Sequence, residues 1–414
     1  MQRTIRRRAL GLAILAIASC AMIAADEMTA GATQDTRPSP RERRLGDHVA
    51  LRRKRVRTIH RRIAPGLRFT KIIDERTPRR IFILRAELAT FPITYDVTLA
   101  GPTLGYRATV PQMAKANDAV AAINGDFSSR IVGRPIHAFV EDGTFVQSAG
   151  PGGASLAVTK TDERVLAAPT AQRMTAVDSQ TTLQWRIDRW NNGAPDVGEI
   201  AAFTTAGGSL ETPPAGACSV HLTPSGPPTP SVEAPGFDQA LTIDDSGCRD
   251  QAMPVGAAGV VLSTVAGTDE ATELRSLALG TTMTIHLSLG FDDAYDVIGG
   301  DTMLLRDGRV SVARFCGSFL CQAQPRTAIG VSAEGKLLMV VVDGRQPRYS
   351  LGLSMLGFAR LLKKLGAVDA VNLDGGGAST MVVRDKVVNR PSDGSLRRVA
   401  TAAMILRGPD PDEA

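Results

Sequence analysis

The chain has 414 residues, of which 43% are hydrophobic, so it is long enough to bury one large core or two medium ones. Aromatic residues make up only 4%, while 40 Gly and 24 Pro favour short strands and turns over a helical bundle. The net charge of +6 is uneven: residues 1–65 hold 15 Lys and Arg against 5 Asp and Glu, which leaves 33 against 37 for the remainder. The remainder is therefore weakly acidic overall and gives no electrostatic case for nucleic-acid binding.

The first 25 residues predict an export leader. Four arginines (Arg3, Arg6, Arg7 and Arg8) precede the uncharged run "ALGLAILAIASCAMIAAD", which ends at Asp26. Ordinary cleavage after Ala25, an uncleaved anchor and a lipid anchor at Cys20 all remain open. The sequence therefore predicts export to the periplasm, secretion, or a membrane-anchored protein that faces outside the cytoplasm.

Residues 26–65 are predicted to be a basic, flexible linker, because "RPSPRERR" and "LRRKRVR" carry charge without apolar periodicity. From residue 66 to 408, short alternating runs such as "ITYDVTL" and "TFVQS" predict strands joined by tight turns. Few helices are predicted: Thr109 begins one, another starts near "TDEATELRS", and Ser354 caps "SMLGFARLLKKLG", which stops before Gly366. The fold class predicted is α+β, a single strand-rich domain with twisted mixed sheets, followed by a tail at 409–414.

Four cysteines follow the leader, and an even number in an exported chain favours disulfides. Three pairings are open; short loop closure favours Cys218 with Cys248 and Cys316 with Cys321. Zinc is the alternative, but the spacings are unlike paired Cys-x-x-Cys motifs. The first bridge is expected to staple an elaborated surface region at about 205–257, where "TPPAGAC" and "TPSGPPTPS" interrupt the apolar runs.

Acids and amides stand next to glycine at several predicted strand ends. These segments are "AINGDFSS", "DVIGGDTMLLRDG", "LLMVVVDGRQ" and "VNLDGGGAST", and Arg326 begins another strand. Such pairs are common in hairpin turns. A rigid sheet can nevertheless hold carboxylates at a cleft, and a cation beside them with glycine N–H groups would form an anion pocket with acids for catalysis. The candidates are Asn124, Asp126, Gly300, Asp301, Arg326, Asp343, Arg345, Asn372 and Asp374.

Together with "AAINGDF" and "IGGDTMLLRDGRV", the segment "RTAIGVSAEGKLLMVVVDGRQPRYS…VNLDGGGASTMVV" resembles the phosphodiester glycosidase family. The resemblance covers residues 66–408. It implies a hydrolase that cuts a sugar phosphodiester at the anomeric carbon. It also implies that Arg326, with Arg345, holds the departing phosphate. Asp374 and Asp343 would then serve as nucleophile, base or stabilising carboxylate, and which acid has which role stays open.

The candidate substrate contacts are Asn124, Asp126, His137, Gly300, Asp301, Arg345, Asn372, Gly375, Gly376, Gly377 and Thr380. Asp126 and Asp301 stand at positions that vary among relatives, and they are expected to tune substrate choice or bind a metal. His137 replaces a common glycine, and a packed or hydrogen-bonded strand histidine is the alternative there to a pocket contact. Ala378 stands where relatives have Ser. No cofactor is required, although Ca²⁺ or Mg²⁺ would suit the acids.

The predicted function is an exported hydrolase of a glycosyl phosphodiester in a surface or extracellular glycan. A non-catalytic wall- or glycan-binding protein and an ordinary glycosidase without a phosphate requirement are the alternatives. The expected partners are a glycan or sugar-phosphate substrate, no nucleic acid, and a membrane only through the leader.

Overall fold

The computed structural model describes residues 55–129, 131–150, 152–225, 237–291, 293–313 and 322–408. Several predictions lie outside this part of the chain. They concern the leader with Cys20, the linker up to residue 54, the pair Cys316 and Cys321, and the tail at 409–414.

The described chain is built from 26 strands and three α-helices. The first thirteen strands are β1 (Val56–Ala64), β2 (Leu67–Asp74), β3 (Arg79–Ala86), β4 (Ile93–Leu99), β5 (Ala121–Asn124), β6 (Phe139–Glu141), β7 (Thr144–Gln147), β8 (Ala154–Thr159), β9 (Val165–Pro169), β10 (Arg173–Asp178), β11 (Gln184–Arg186), β12 (Arg189–Trp190) and β13 (Ala201–Thr204). The others are β14 (Cys218–Pro224), β15 (Phe237–Cys248), β16 (Val260–Thr264), β17 (Thr282–Ser288), β18 (Ala294–Gly300), β19 (Thr302–Arg306), β20 (Arg309–Val310), β21 (Arg326–Ser332), β22 (Leu337–Val342), β23 (Ala367–Leu373), β24 (Met381–Val383), β25 (Lys386–Val387) and β26 (Thr401–Arg407). The helices are α1 (Val110–Ala116), α2 (Asp269–Ser276) and α3 (Met355–Lys364).

The strands form four sheets. The first has the order β1-β2-β3-β22-β21-β23-β19-β20, and the second β11-β10-β17-β15-β14-β16-β13-β12. Two smaller sheets follow, β7-β6-β18-β8-β9 and β25-β24-β5-β26-β4. Pairing in the described strands is antiparallel except for the parallel pair β12 and β13. The strand-rich prediction is confirmed, and the α+β label holds only in the loose sense that three helices accompany the sheets.

The first sheet is buried at its centre, because strands β21 and β22 have no exposed residue. One face joins a large apolar cluster that includes Phe82, Met339 and Val341. The other face packs against α3 through Phe358 and Leu362. The predicted cap of α3 is confirmed, since Ser354 Oγ accepts a hydrogen bond from the N–H of Gly357. This packing holds the ends of β21, β22 and β23 rigidly, and the candidate site lies at those ends.

Two boundaries differ from the sequence analysis. Residues Val56–Ala64, predicted as linker, form β1, which pairs with β2, so the ordered domain begins about ten residues before residue 66. The region at 205–257 is more than a surface elaboration, because β14 and β15 are inner strands of the second sheet. Their alternating burial was hidden by the Pro- and Gly-rich segments around them. The predicted disulfide Cys218–Cys248 is confirmed and joins directly paired residues of these strands.

Candidate active site

Strand register brings the predicted acids and Arg326 to one end of the first sheet. Arg326 pairs with Val342, and Thr327 pairs with Leu373, so Asp343 and Asp374 leave their strands on either side of the start of β21. On the far side of β23, the N–H of Asp301 donates to the carbonyl of Asn372. Neighbouring strands lie about 4.8 Å apart. Four charged residues, Asp343, Arg326, Asp374 and Asp301, therefore form a row across the ends of four adjacent strands.

Arg326 is a buried cation, with 4% of its surface exposed. Its Nε donates to the carbonyl of Leu353 at 3.0 Å, and one terminal nitrogen donates to the carbonyl of Gln322 at 2.8 Å. Burial and the nearby charge of Arg345 lower its pKa to about 10, while Asp301 acts in the opposite direction. The guanidinium therefore stays charged at neutral pH and lies within electrostatic range of both Arg345 and Asp301.

Asn124 fastens the backbone of Asp374. Its Nδ2 donates to the Asp374 carbonyl at 2.7 Å, and its Oδ1 accepts from Thr327 Oγ1 at 2.9 Å and from the Thr380 N–H at 3.1 Å. The N–H of Asp374 donates to the carbonyl of Gly125. Asp374 itself is half-buried, whereas Asn124 is fully buried. The amide predicted to bind a sugar is thus committed to protein contacts that orient the Asp374 loop, and Thr380 contributes its backbone to the same contacts.

Asp343 is 1% exposed, and both of its carboxylate oxygens accept hydrogen bonds from the protein. Oδ1 accepts from Asn389 Nδ2 at 2.9 Å, and the N–H of Arg390 contacts both oxygens, at 3.1 and 3.0 Å. Burial raises its pKa to about 6, although these donors and Tyr349 counteract the rise. Asn389 also donates to the carbonyl of Ser379. Asp343 therefore ties the end of β22 to the chain that follows the three glycines.

Asp126 and His137 form a buried pair. Asp126 Oδ1 accepts from His137 Nδ1 at 2.7 Å and from the N–H of Phe127 at 2.6 Å; Oδ2 accepts from the N–H groups of Ile136 and His137 at 2.8 and 2.7 Å. Burial alone would lower the pKa of His137, but the hydrogen bond and charge of Asp126, with the charge of Asp301, outweigh it and raise that pKa. Because four donors occupy the Asp126 carboxylate, it is poorly suited to bind a metal.

The three glycines meet close neighbours. Gly376 has φ +62°, and a Cβ there would lie 3.1 Å from a terminal nitrogen of Arg345. At Gly377 a Cβ would fall 2.0 Å from the Asp393 carboxylate. The sequence predicts that glycine N–H groups of this loop bind an anion. The N–H of Gly376 instead donates to the carbonyl of Pro325 and is not available for that role. These glycines let two charged side chains approach the loop beside Asp374.

Gly300 and Asn372 are packed against one another. A Cβ on Gly300 would lie 2.4 Å from the carbonyl oxygen of Asn372, so glycine is needed there for close strand contact. Asn372 is 1% exposed, and its Oδ1 has no hydrogen-bond partner among the described residues. Asp301, the next residue after Gly300, is exposed. Of these three predicted substrate contacts, Asp301 is the one whose side chain reaches solvent.

Sequence reasoning missed three residues of this site: Thr327, Asn389 and Asp393. Asn389 and Asp393 belong to "VNRPSDGS", a polar segment that follows β25. Asp393 pairs with Arg397 at 2.7 Å. A carboxylate within reach of Gly377 could have been suspected from this segment, but its position depends on contacts between residues far apart in sequence.

A group of acids that could hold a cation lies elsewhere. Among the described residues, carboxylate oxygens of Asp96, Asp142 and Asp296 lie within 4.8 Å of one another. None of them belongs to the pocket for which Ca²⁺ or Mg²⁺ was considered. A cleft between Phe145 of β7 and residues of the second sheet such as Trp190 also contains none of the predicted site residues. None of the described helices is long and apolar enough to cross a membrane.

Comparison with known proteins supports the resemblance to phosphodiester glycosidases. Residues 245–406 match the family model described as phosphodiester glycosidase. The resemblance to the phosphodiester glycosidases is confirmed. A mouse N-acetylglucosamine-1-phosphodiester alpha-N-acetylglucosaminidase is 38% identical over 68 residues, which are 16% of this chain and 13% of the mouse protein. The SPbeta prophage-derived uncharacterized protein YomE of Bacillus subtilis (strain 168) is 38% identical over 88 residues, 21% of this chain and 13% of its own.

The fold extends over more of the chain than the sequence matches do. A crystal structure of a hypothetical protein from Synechocystis superposes with a TM-score of 0.68, covering 85% of this chain and 63% of that one at 19% identity. The sequence matches to the mouse and Bacillus subtilis proteins cover only 13% of the length of each of those two relatives. The phosphodiester glycosidase match contains Asp301, Arg326, Asp343, Arg345 and Asp374, whereas Asn124, Asp126 and His137 precede it.

Proposed function

We propose that this protein is an exported hydrolase that cleaves a glycosyl phosphodiester of a surface or extracellular glycan. The observation that carries the proposal is the row of opposite charges at one end of the first sheet, within the residues that match phosphodiester glycosidases. Arg326 lies beside Asp374, and Asp301 stands one strand further on. The disulfide between Cys218 and Cys248 supports an oxidising compartment.

The chemistry of the bond suits these residues. A phosphodiester leaves the anomeric carbon as a phosphate monoester, which is already an anion, so its departure gains more from cations than from a proton donor. Arg326 is fixed and charged, and Arg345 lies against Gly376 at the edge of the same loop. Two guanidinium groups can hold one phosphate through several charge-assisted hydrogen bonds.

The Asp374 carboxylate has the second role in this proposal. It follows β23 directly, next to the start of β21, so a phosphate held by the arginines would place the anomeric carbon near it. A carboxylate there stabilises the positive charge that develops on the sugar as the phosphate leaves, or attacks the carbon. Asn124 and Asp343 hold the surrounding loops and support that placement.

The test is release of free sugar from a panel of sugar-1-phosphate alkyl and aryl diesters, with simple aryl glycosides in parallel. Asp374→Asn is expected to lower kcat by at least about 100-fold, and Arg345→Gln to raise KM about tenfold or more. The matched controls are Asp385→Asn and Arg348→Gln, which change exposed residues of the same types. Arg326 is a poorer target, because its guanidinium also donates to two backbone carbonyls.

Three outcomes separate this function from its rivals. Cleavage of diesters but not of aryl glycosides, with loss in Asp374→Asn alone among the aspartate variants, supports it. Cleavage of aryl glycosides that is indifferent to Arg345→Gln would identify an ordinary glycosidase. Retention of a glycan without release of sugar, at unchanged melting temperature, would identify a binding protein.

A further inference from the structure

His137 is held in one orientation by the carboxylate of Asp126, which is itself fixed by the backbone around it. The four hydrogen bonds that Asp126 accepts come from His137 Nδ1 and from three backbone N–H groups. A carboxylate fixed in this way keeps the imidazole proton on Nδ1 and leaves the lone pair on Nε2. The ring is also edge-on to Phe127, with centroids 6.3 Å apart.

The other ring nitrogen, Nε2, has no hydrogen-bond partner among the described residues. It is not fully buried, so solvent can reach it. The His137 side chain keeps 11% of its surface exposed. Glycines make room for the ring: a Cβ at Gly153 would lie 2.6 Å from His137 Cδ2, and one at Gly299 would lie 2.4 Å from His137 Cβ. The surroundings thus shape a slot for an imidazole whose free nitrogen reaches solvent.

The slot adjoins the candidate site on the side away from the arginines. Gly125, which precedes Asp126, accepts a hydrogen bond from the N–H of Asp374. Asp301 lies within electrostatic range of both His137 and Arg326. In the strand order, β21 with Arg326 lies on one side of β23 and β19, preceded by Asp301, lies on the other. Asp374 at the end of β23 therefore has Arg326 on one side and, on the other, Asp301, the acid within electrostatic range of His137.

We propose that His137 is the general base for the water that attacks the anomeric carbon, with Asp126 as its positioning residue. This inference rests on the proposed function. A phosphate held at the arginines leaves on one side of the anomeric carbon, and water enters from the side of His137. One O–H bond of water breaks and its proton moves to Nε2, while the water oxygen bonds to the anomeric carbon. The bond from that carbon to the phosphate oxygen breaks, and its electron pair leaves with the phosphate monoester.

The competing bases are less well placed. The carboxylate oxygens of Asp126 and Asp343 are occupied by protein donors. Asp374 stands where its charge stabilises the sugar cation, and a carboxylate that serves this purpose must stay ionised while a separate group accepts the proton. His137 supplies that separate group, and its raised pKa strengthens it as a base near neutral pH.

The experiment is the pH profile of kcat/KM for the best diester substrate. In the wild type, kcat/KM should fall on the acid side as Nε2 becomes protonated, with an apparent pKa above the ordinary value for histidine. His137→Gln should lower kcat/KM by about 100- to 10,000-fold and abolish this acid limb. His60→Gln, a change of a histidine on β1, is the matched control and should leave both unchanged.

Asp301→Asn provides a second variant that keeps the fold, because the Asp301 side chain is exposed and the residue's contact with Asn372 is through its backbone N–H. Removing its charge should move the acid limb to lower pH, a shift that a purely structural role for His137 does not produce. A wild type that cleaves diesters while His137→Gln keeps the rate and the limb overturns this inference alone. A wild type that cleaves no diester overturns the proposed function, and this role with it.

Discussion

The side-chain amide of Asn124 donates a hydrogen bond of 2.7 Å to the backbone carbonyl of Asp374, across 250 residues of sequence. The oxygen of that amide accepts hydrogen bonds from Thr327 Oγ1 and from the N–H of Thr380. One side chain therefore joins β5, β21 and both sides of the glycine loop. Because Asn124 is fully buried, none of these bonds can be replaced by water at the surface. Asn124 fixes the backbone from which the Asp374 carboxylate projects.

Asn124→Asp is expected to damage both stability and turnover. The carboxylate keeps the acceptor for Thr327 and Thr380 but sets a second acceptor against the Asp374 carbonyl, inside the protein. The free energy of unfolding should fall by about 1–3 kcal/mol, and kcat should fall at least about tenfold as the loop is displaced. Urea denaturation and steady-state kinetics measure the two effects. Asn192→Asp is the control, because Asn192 also donates to a backbone carbonyl but is half-exposed.

Much of the site could be predicted because its signals are local. An apolar run such as "LLMVVV" that ends in an acid predicts a buried strand with a carboxylate at its end, and β22 with Asp343 has that form. Antiparallel register then brings Asp343 and Asp374 to one edge on either side of Arg326. The cap at Ser354 is similarly local, since it depends on residues within one helical turn.

The partners of these groups could not be predicted, because they are set by contacts between distant segments. Nothing near Asp343 in sequence shows that Asn389 and Arg390 occupy its oxygens. Likewise, the side-chain amide of Asn124 is of the kind that binds sugar hydroxyls, and the sequence does not show that it contacts the backbone of Asp374 instead. The inner strands β14 and β15 were hidden for a different reason: their burial depends on neighbours in the second sheet, while Pro and Gly dominate the connecting segments.

Asp343→Asn should separate a structural acid from a catalytic one. The amide oxygen can keep the bond from Asn389 Nδ2, but the new N–H₂ would then take the place of Oδ2 and face a donor, the Arg390 N–H. The free energy of unfolding should therefore fall by about 1–3 kcal/mol. Below its melting temperature the variant should keep kcat within about tenfold of wild type, whereas Asp374→Asn should lose at least about 100-fold. Should Asp343→Asn match the loss of Asp374→Asn with unchanged stability, Asp343 belongs to the chemistry, as the sequence predicted.

Gly376→Ala tests the contact between the glycine loop and Arg345. Its φ of +62° strains any L-residue by about 1–2 kcal/mol, and the added Cβ would press on the guanidinium from 3.1 Å. KM for a diester should therefore rise severalfold. Gly394→Ala is a close control, since Gly394 has φ +77° with nothing within 4 Å of the added Cβ. It should cost similar stability and leave KM unchanged; equal KM values in both variants would exclude a role for the Arg345 contact.

The acids around Asp296 predict an unusual dependence of stability on pH. Burial, then the charges of Asp96, Asp142 and Glu141, raise the pKa of Asp296 to about 8, against a backbone hydrogen bond from Asp142 that lowers it. Burial raises the pKa of Glu141 to about 7 and that of Asp96 to about 6. The folded state thus binds protons that the unfolded state has released above about pH 4. The free energy of unfolding should consequently fall as pH rises from about 4 to about 8.

Asp296→Asn should flatten this dependence. The amide oxygen can still accept from the N–H of Asp142, but the buried charge is gone. Stability at pH 8 should rise above that of wild type, and the slope between pH 5 and pH 8 should shrink by up to about 1.4 kcal/mol per pH unit. Urea denaturation in EDTA at several pH values measures the slope without cations that could neutralise the acids. Asp385→Asn should follow the wild type; a slope unchanged in Asp296→Asn would show that Asp296 is ionised throughout this range.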